Sequence, residues 1–172
     1  MSARKVEISP IQNFILHVEV RDKDNKVVFE RTKGPESGQL AATVPALLGA
    51  HSEAQIIATL AAGDRLTATL TPSPPYSLLL TGFQGDAAPQ SIYVTALVHP
   101  DIIPHAGYIS PLICKIVHDN LQIVMPLIRQ GQSARFIFEN KTTASQDLEA
   151  VVGLIVGFDE TLMEIRKRRL MI

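Results

Sequence analysis

Residues 112–139 read LICKIVHDNLQIVMPLIRQGQSARFIFE, and the way this stretch divides decides the fold class. Phe136 and Phe138 alternate with Arg135, Ile137 and Glu139, a period of two that predicts a strand over Ala134–Glu139 with one strongly apolar side. Two apolar runs precede it, Leu112–His118 and Leu121–Ile128. Asp119-Asn120 supplies a two-residue turn between them, and Gln130-Gly131-Gln132 turns the chain again. The stretch therefore predicts three antiparallel strands in a row. Pro126 cannot donate to a ladder, so the second strand belongs at an edge or carries a bulge.

Working outward from there, the same signals recur. Val6–Ser9 predicts a short strand closed by Pro10. Gln12–Val20 and Lys26–Thr32 predict a hairpin, with His17, Glu19 and Arg21 alternating with Leu16, Val18 and Val20. Asp22-Lys23-Asp24-Asn25 carries the turn chemistry; it lacks the glycine and distal glutamate of a calcium loop. Lys33–Gly38 reads as a loop, and Leu40–Leu48 stays ambiguous around Pro45. Over Ser52–Ala62 two readings compete. Ser52 with Gln55 fits a helix capping box with Gly63 as the stop. Ile56–Leu60, however, mirrors Leu66–Leu70 across Gly63-Asp64, and the β-branched residues in both halves favour a hairpin. Thr71-Pro72-Ser73-Pro74-Pro75 predicts a rigid extended connection. Tyr76–Thr81 and Ser91–Val98 read as strands separated by a loop over Gly82–Gln90, and Pro100–Pro111 as a long loop. Asn140–Asp147 is a polar loop before a last long strand, Leu148–Phe158, where Gly153 and Gly157 suggest kinks or close backbone approach. Thr161–Ile172 reads as a short helix or an extended arm.

About ten short strands with frequent turns and no long amphipathic helix predict an all-β sandwich or barrel. A length of 172 residues suits one domain, and 46% hydrophobic with 19% charged residues suits a globular one. The net charge of −1 gives no electrostatic case for nucleic acid as a direct partner. The single Cys114 cannot form an internal disulfide; it reads as a buried small hydrophobe or, alternatively, as an intermolecular bridge. Met1–Lys5 leads into no apolar signal segment, and the apolar run Ala150–Phe158 is too short for a membrane-spanning helix, so synthesis in a reducing cytoplasm is expected.

Charge is distributed unevenly. Twelve charged residues fall in the first 33 positions and fifteen from Lys115 onward, but Gln39–Cys114 holds only Glu53, Asp64, Arg65, Asp86 and Asp101. β proteins commonly place Lys and Glu on solvent faces and edges, which prevents sheets from sticking. Here Thr, Ala, Ser and Gln stand instead. Two readings remain open: a neutral, solvated threonine-rich surface, or a surface covered by other subunits.

Chemistry is sparse. His99, Asp101 and His105 have possible ligand spacing beside a loop, which keeps a metal-dependent β-barrel enzyme in view. The cupin pattern of two histidines one residue apart with a following glutamate does not occur. The chain also lacks a Gly-x-Ser-x-Gly elbow and glycine-rich phosphate loops. The reading is therefore of a non-enzyme without cofactor or metal. The one local feature with a partner written into it is the tail. Arg166, Lys167, Arg168 and Arg169 precede Leu170, Met171 and Ile172, a pattern suited to an anionic membrane surface or to a neighbouring subunit.

From Val6-Glu7-Ile8 to Val151-Val152-Gly153-Leu154-Ile155, the compact β pattern, charge-poor middle, proline-rich connections and basic terminal arm resemble the single jelly-roll major capsid proteins of tailless icosahedral viruses. The likeness is greatest to the smaller of the two major capsid proteins in membrane-containing phages of thermophilic bacteria. It rests on length, strand order and general pattern rather than on a diagnostic motif. The resemblance implies one jelly-roll domain over residues 1–172 with 161–172 as a C-terminal arm. It also implies a virion location after synthesis in the host cytoplasm. The expected partners are a second copy as a dimer, a larger capsid protein, and the lipids of an internal membrane. A β-sandwich binding module for carbohydrate or protein is the alternative, although zero Trp and three Tyr are poor material for stacking on sugars.

Overall fold

The computed structural model describes residues 5–8, 14–34, 51–98, 105–109 and 126–170. Eleven strands run in chain order among these residues. They are β1 (Lys5–Ile8), β2 (Phe14–Arg21), β3 (Val27–Lys33), β4 (His51–Leu60), β5 (Arg65–Pro72), β6 (Ser77–Ala87), β7 (Ile92–Val98), β8 (His105–Tyr108), β9 (Leu127–Ile128), β10 (Ala134–Asn140) and β11 (Gln146–Gly157). One helix follows, α1 (Asp159–Leu170). The expected strand Leu112–His118, with Cys114, lies outside the described residues, as do Leu40–Leu48 and the first part of Leu121–Ile128.

The strands form two antiparallel sheets, ordered β1-β4-β11-β6-β9 and β3-β2-β5-β10-β7-β8. Four pairings nest inside one another: β4 with β11, β5 with β10, β6 with β9, and β7 with β8. This is a long two-stranded ribbon wrapped so that successive pairs fall alternately in the two sheets, which is the jelly-roll topology. β1 adds to the outside of β4, and the β2–β3 hairpin adds to the outside of β5. The sandwich does not close into a barrel.

Alternation dictates which side chains meet inside. β2 buries Phe14, Leu16, Val18 and Val20, while β5 buries Leu66, Ala68 and Leu70. Phe136 and Phe138 enter the core from β10, as their spacing predicts, and stack on Phe83 of the opposite sheet at centroid distances of 5.2 and 5.9 Å. Offset aromatic stacking of this kind adds to the burial of three large rings and fixes the spacing of the sheets.

The wrap corrects several sequence expectations. β4 and β5 are strands, as preferred over a helix, but they are not a hydrogen-bonded hairpin; the Gly63-Asp64 turn carries the chain between sheets. The reason lies far along the sequence. The Asn140 amide donates to the carbonyls of Leu60, Ala61 and Ala144 at 3.0, 3.1 and 2.8 Å, while its backbone N–H donates to Asp64 at 2.9 Å. Asp64 is fully buried and accepts from the Ala61 N–H at 2.9 Å, so the corner is satisfied by its own polar groups. Likewise, β9 and β10 do not belong to one meander, because the turn at Gln130–Gln132 crosses from one sheet to the other. Among the described residues β9 lies at the edge of its sheet, with Pro126 beside it.

Two expected loops, Gly82–Gln90 and Pro100–Pro111, carry strand, the second holding β8, and the expected rigid connection at Thr71–Pro75 holds a turn. β6 continues through Gly82–Ala87 because β11 pairs with it along its length, with a register shift at Gly153/Leu154. A Cβ at Gly85 would lie 3.0 Å from Ile109 Cδ1, so glycine there admits the segment after β8. The proline-rich connection is not extended throughout: β5 runs to Pro72, and a tight turn follows in which the Tyr76 N–H donates to the Ser73 carbonyl at 3.0 Å.

Candidate functional site

The basic tail stands on α1, whose charge order suits a helix: Asp159 and Glu160 in the first turn, Lys167 and Arg168 in the last described part. Carboxylates near the N-terminus and cations near the C-terminus both match the helix dipole. Asp159 also fastens the helix to the sandwich, accepting from Ser77 Oγ at 2.8 Å and from Arg129 Nε at 2.9 Å. Leu162 is fully buried, and Met163 and Ile165 pack partly against the core. Through Leu162, Met163 and Ile165 the helix therefore packs against its own sheet. Lys167 and Arg168 are exposed and Arg166 is half-buried. Met171 and Ile172 lie outside the described residues, as do the side chains of Arg169 and Leu170.

The charge-poor middle divides by face. Ala54, Ala58, Ala68 and Ala96 are interior, whereas Thr67, Thr69, Thr71 and Thr95 look outward from the six-stranded sheet. In register, Thr67 lies between Glu19 and Ile137, and Thr69 between His17 and Arg135. On this face the threonines of β5 form a row that stands in direct register with ionic groups of both neighbouring strands, Glu19 and His17 on β2 and Arg135 on β10.

A residual cavity of about 10 Å³ between the sheets is lined by Leu16, Ala54, Ile56, Ala68, Leu70, Phe136, Phe138, Ala150 and Val152. No polar side chain reaches it, so this region cannot hold a metal or a substrate. An open groove of about 570 Å³ lies outside the five-stranded sheet, where Ile57 is flanked by Thr59, Asp86, Asp147 and Glu149. Of the expected metal candidates, His99 and Asp101 lie outside the described residues, as does the His105 side chain.

A different cluster forms on the β2–β3 hairpin. His17 and Glu19 share the outer face of β2, and Glu30 of β3 stands directly across from Glu19. One donor atom from each lies within 4.8 Å of the others. The His17 ring is held on both sides, with Nδ1 2.7 Å from Thr32 Oγ1 and Nε2 3.4 Å from Glu30 Oε1. Arg21 donates through Nε to Glu19 and through a terminal nitrogen to the Asn25 carbonyl at 3.0 Å. Sequence alternation already places His17 and Glu19 on one face. Glu30 joins them only through the strand register, which no short-range pattern announces.

No family model and no curated protein sequence matches the chain. Among solved structures, the chain is similar to a bsmA homolog from Methylobium petroleophilum, at 10% identity over 91% of this chain and 72% of that one, with a TM-score of 0.21. A likeness at that score carries no argument about function.

Proposed function

We propose that this chain is a structural protein, a single jelly-roll capsid subunit that associates with itself and with a larger capsid protein in a shell over a lipid membrane. The observation that carries the reading is the nested pairing of β4–β11 around an interior filled with hydrocarbon. Jelly rolls serve as capsid subunits, lectins and cupins alike, so fold alone does not choose among them. A cupin-type role requires polar ligands inside the roll, and the cavity between the described strands has an apolar lining. That leaves the outer faces, and the row of Thr67, Thr69 and Thr71 along β5 suits contact with a neighbouring subunit. In a shell, many identical weak contacts sum to a stable assembly without catalysis. The exposed cations at the end of α1 suit anionic headgroups or a neighbour's carboxylates, since no carboxylate beyond Glu164 pairs with them among the described residues.

Light scattering on a sizing column, as a function of protein concentration, tests the proposal. Mass that grows from dimer upward, with particles visible by electron microscopy when the larger capsid protein is added, is the expected result. A monomer at every concentration that also forms no particle with that partner overturns it and favours a binding module. Removing Arg166–Ile172 should weaken assembly or vesicle binding while leaving the fold intact, because Leu162 keeps its place in the core. Unchanged assembly and lipid association after that removal would discard the role of the tail.

A further inference from the structure

We propose that His17, Glu19 and Glu30 form a binding site for a divalent transition metal of the zinc class on the outer face of the β2–β3 hairpin. The donors come from two paired strands, so their backbone positions are fixed by the ladder and not by a loop. Zinc bonds to imidazole nitrogen and carboxylate oxygen at about 2.0–2.2 Å, which requires the three donors to close in slightly from their present spread of up to 4.8 Å. Glu30, whose side chain is 57% exposed, has the freedom to make that movement.

Three further features support the assignment. First, Thr32 Oγ1 stands 2.7 Å from His17 Nδ1. When Nδ1–H donates to that hydroxyl, the lone pair falls on Nε2, which faces the carboxylates. Metal-bound histidines are oriented by a partner on the other ring nitrogen in this way. Second, Arg21 engages one oxygen of Glu19 and leaves the other available, so it fixes the carboxylate without occupying it fully. Third, Glu19 and Glu30 are directly opposed across an antiparallel pair, where like charges are unfavourable. A dication between them turns that repulsion into attraction. The donor set also selects the metal. Calcium and magnesium take oxygen donors in larger number, whereas an imidazole nitrogen with two carboxylates suits zinc and its neighbours. Three protein donors leave a further position for water.

The site is independent of the assembly proposal and is tested separately. Zinc chloride is titrated calorimetrically into the full chain and into His17→Ala and Glu30→Gln, with circular dichroism confirming the fold of each. Wild type should bind one equivalent through this site. Each variant should lose about tenfold or more in affinity. Zinc should raise the melting temperature of wild type, and magnesium chloride at equal concentration should not. A variant with Gln at His51, His99, His105 and His118 should retain the site. If one variant fails to fold, the other carries the comparison. Absence of saturable zinc binding to wild type, or affinity unchanged in the folded variants, overturns the assignment.

Discussion

The five-stranded sheet turns Gln55, Ile57, Thr59, Gln84, Asp86, Asp147 and Glu149 outward, whereas the six-stranded sheet turns out Thr67, Thr69, Thr71, Thr95 and Ile137 together with His17, Glu19, Arg65, Arg135 and Glu139. Inside, the two contribute the same kind of side chain to one core. The first outer face is tied together by polar cross-strand pairs, Gln55 to Glu149 at 2.8 Å and Thr59 to Asp147 at 2.8 Å, and its carboxylates are exposed. The second carries a row of threonines along β5, flanked in register by His17, Glu19 and Arg135. The interior is constrained by the need to fill a sandwich, so both sheets meet the same requirement there. Their outer faces are free of that requirement, so their composition can differ.

The comparison can be broken most strongly from within. Phe136→Ala removes a ring shared by the two sheets and should cost about 3–5 kcal/mol, with both sheets lost in one urea transition followed by circular dichroism. Separate transitions would show that the sheets do not share one cooperative core. Asn140→Ala removes the amide that joins the β4–β5 and β10–β11 corners and should cost about 2–3 kcal/mol in the same measurement. The outer faces are probed by charge. Thr67→Lys with Thr69→Lys should abolish concentration-dependent mass in light scattering while changing stability by only about 0.5 kcal/mol or less. Gln84→Lys, on the five-stranded face, should change neither, and equal loss of assembly from both faces would remove the distinction. Smallest of all, Lys167→Ala should shift stability by less than about 0.5 kcal/mol, because its contact with Glu164 spans 3.9 Å between exposed groups.

Much of the architecture is legible in short-range pattern. Phe136 and Phe138 mark an inward face, and the alternation of Leu16, Val18 and Val20 with His17 and Glu19 marks another. Period-two alternation reports which way a side chain points. It carries no information on which strand lies alongside, and so the corner at Gly63-Asp64 looks like a hairpin until Asn140 is brought to it from the other end of the ribbon. Gly82–Ala87 resembles a loop because its glycines have low strand preference, yet a side chain at Gly85 would crowd Ile109. The same limit governs the candidate metal cluster. His17 and Glu19 are separated by one residue and are readable together, while Glu30 depends on the register of the hairpin.

The pairing of β4 with β11 has a consequence for how the chain reaches its native state. His51 partners Ile155 and Leu60 partners Gln146, so the two middle strands of one sheet come from opposite ends of the roll. Such contacts close long loops before they return any stabilisation, and chains built on them fold in roughly milliseconds to seconds rather than microseconds. During synthesis β4 and β6 emerge well before the strand that lies between them. Until β11 leaves the ribosome, each presents unpaired backbone, and a nascent chain in that condition is prone to join with another. Completion of the last strand thus marks the moment at which the protein becomes safe from its own copies and able to meet them only through its finished surface.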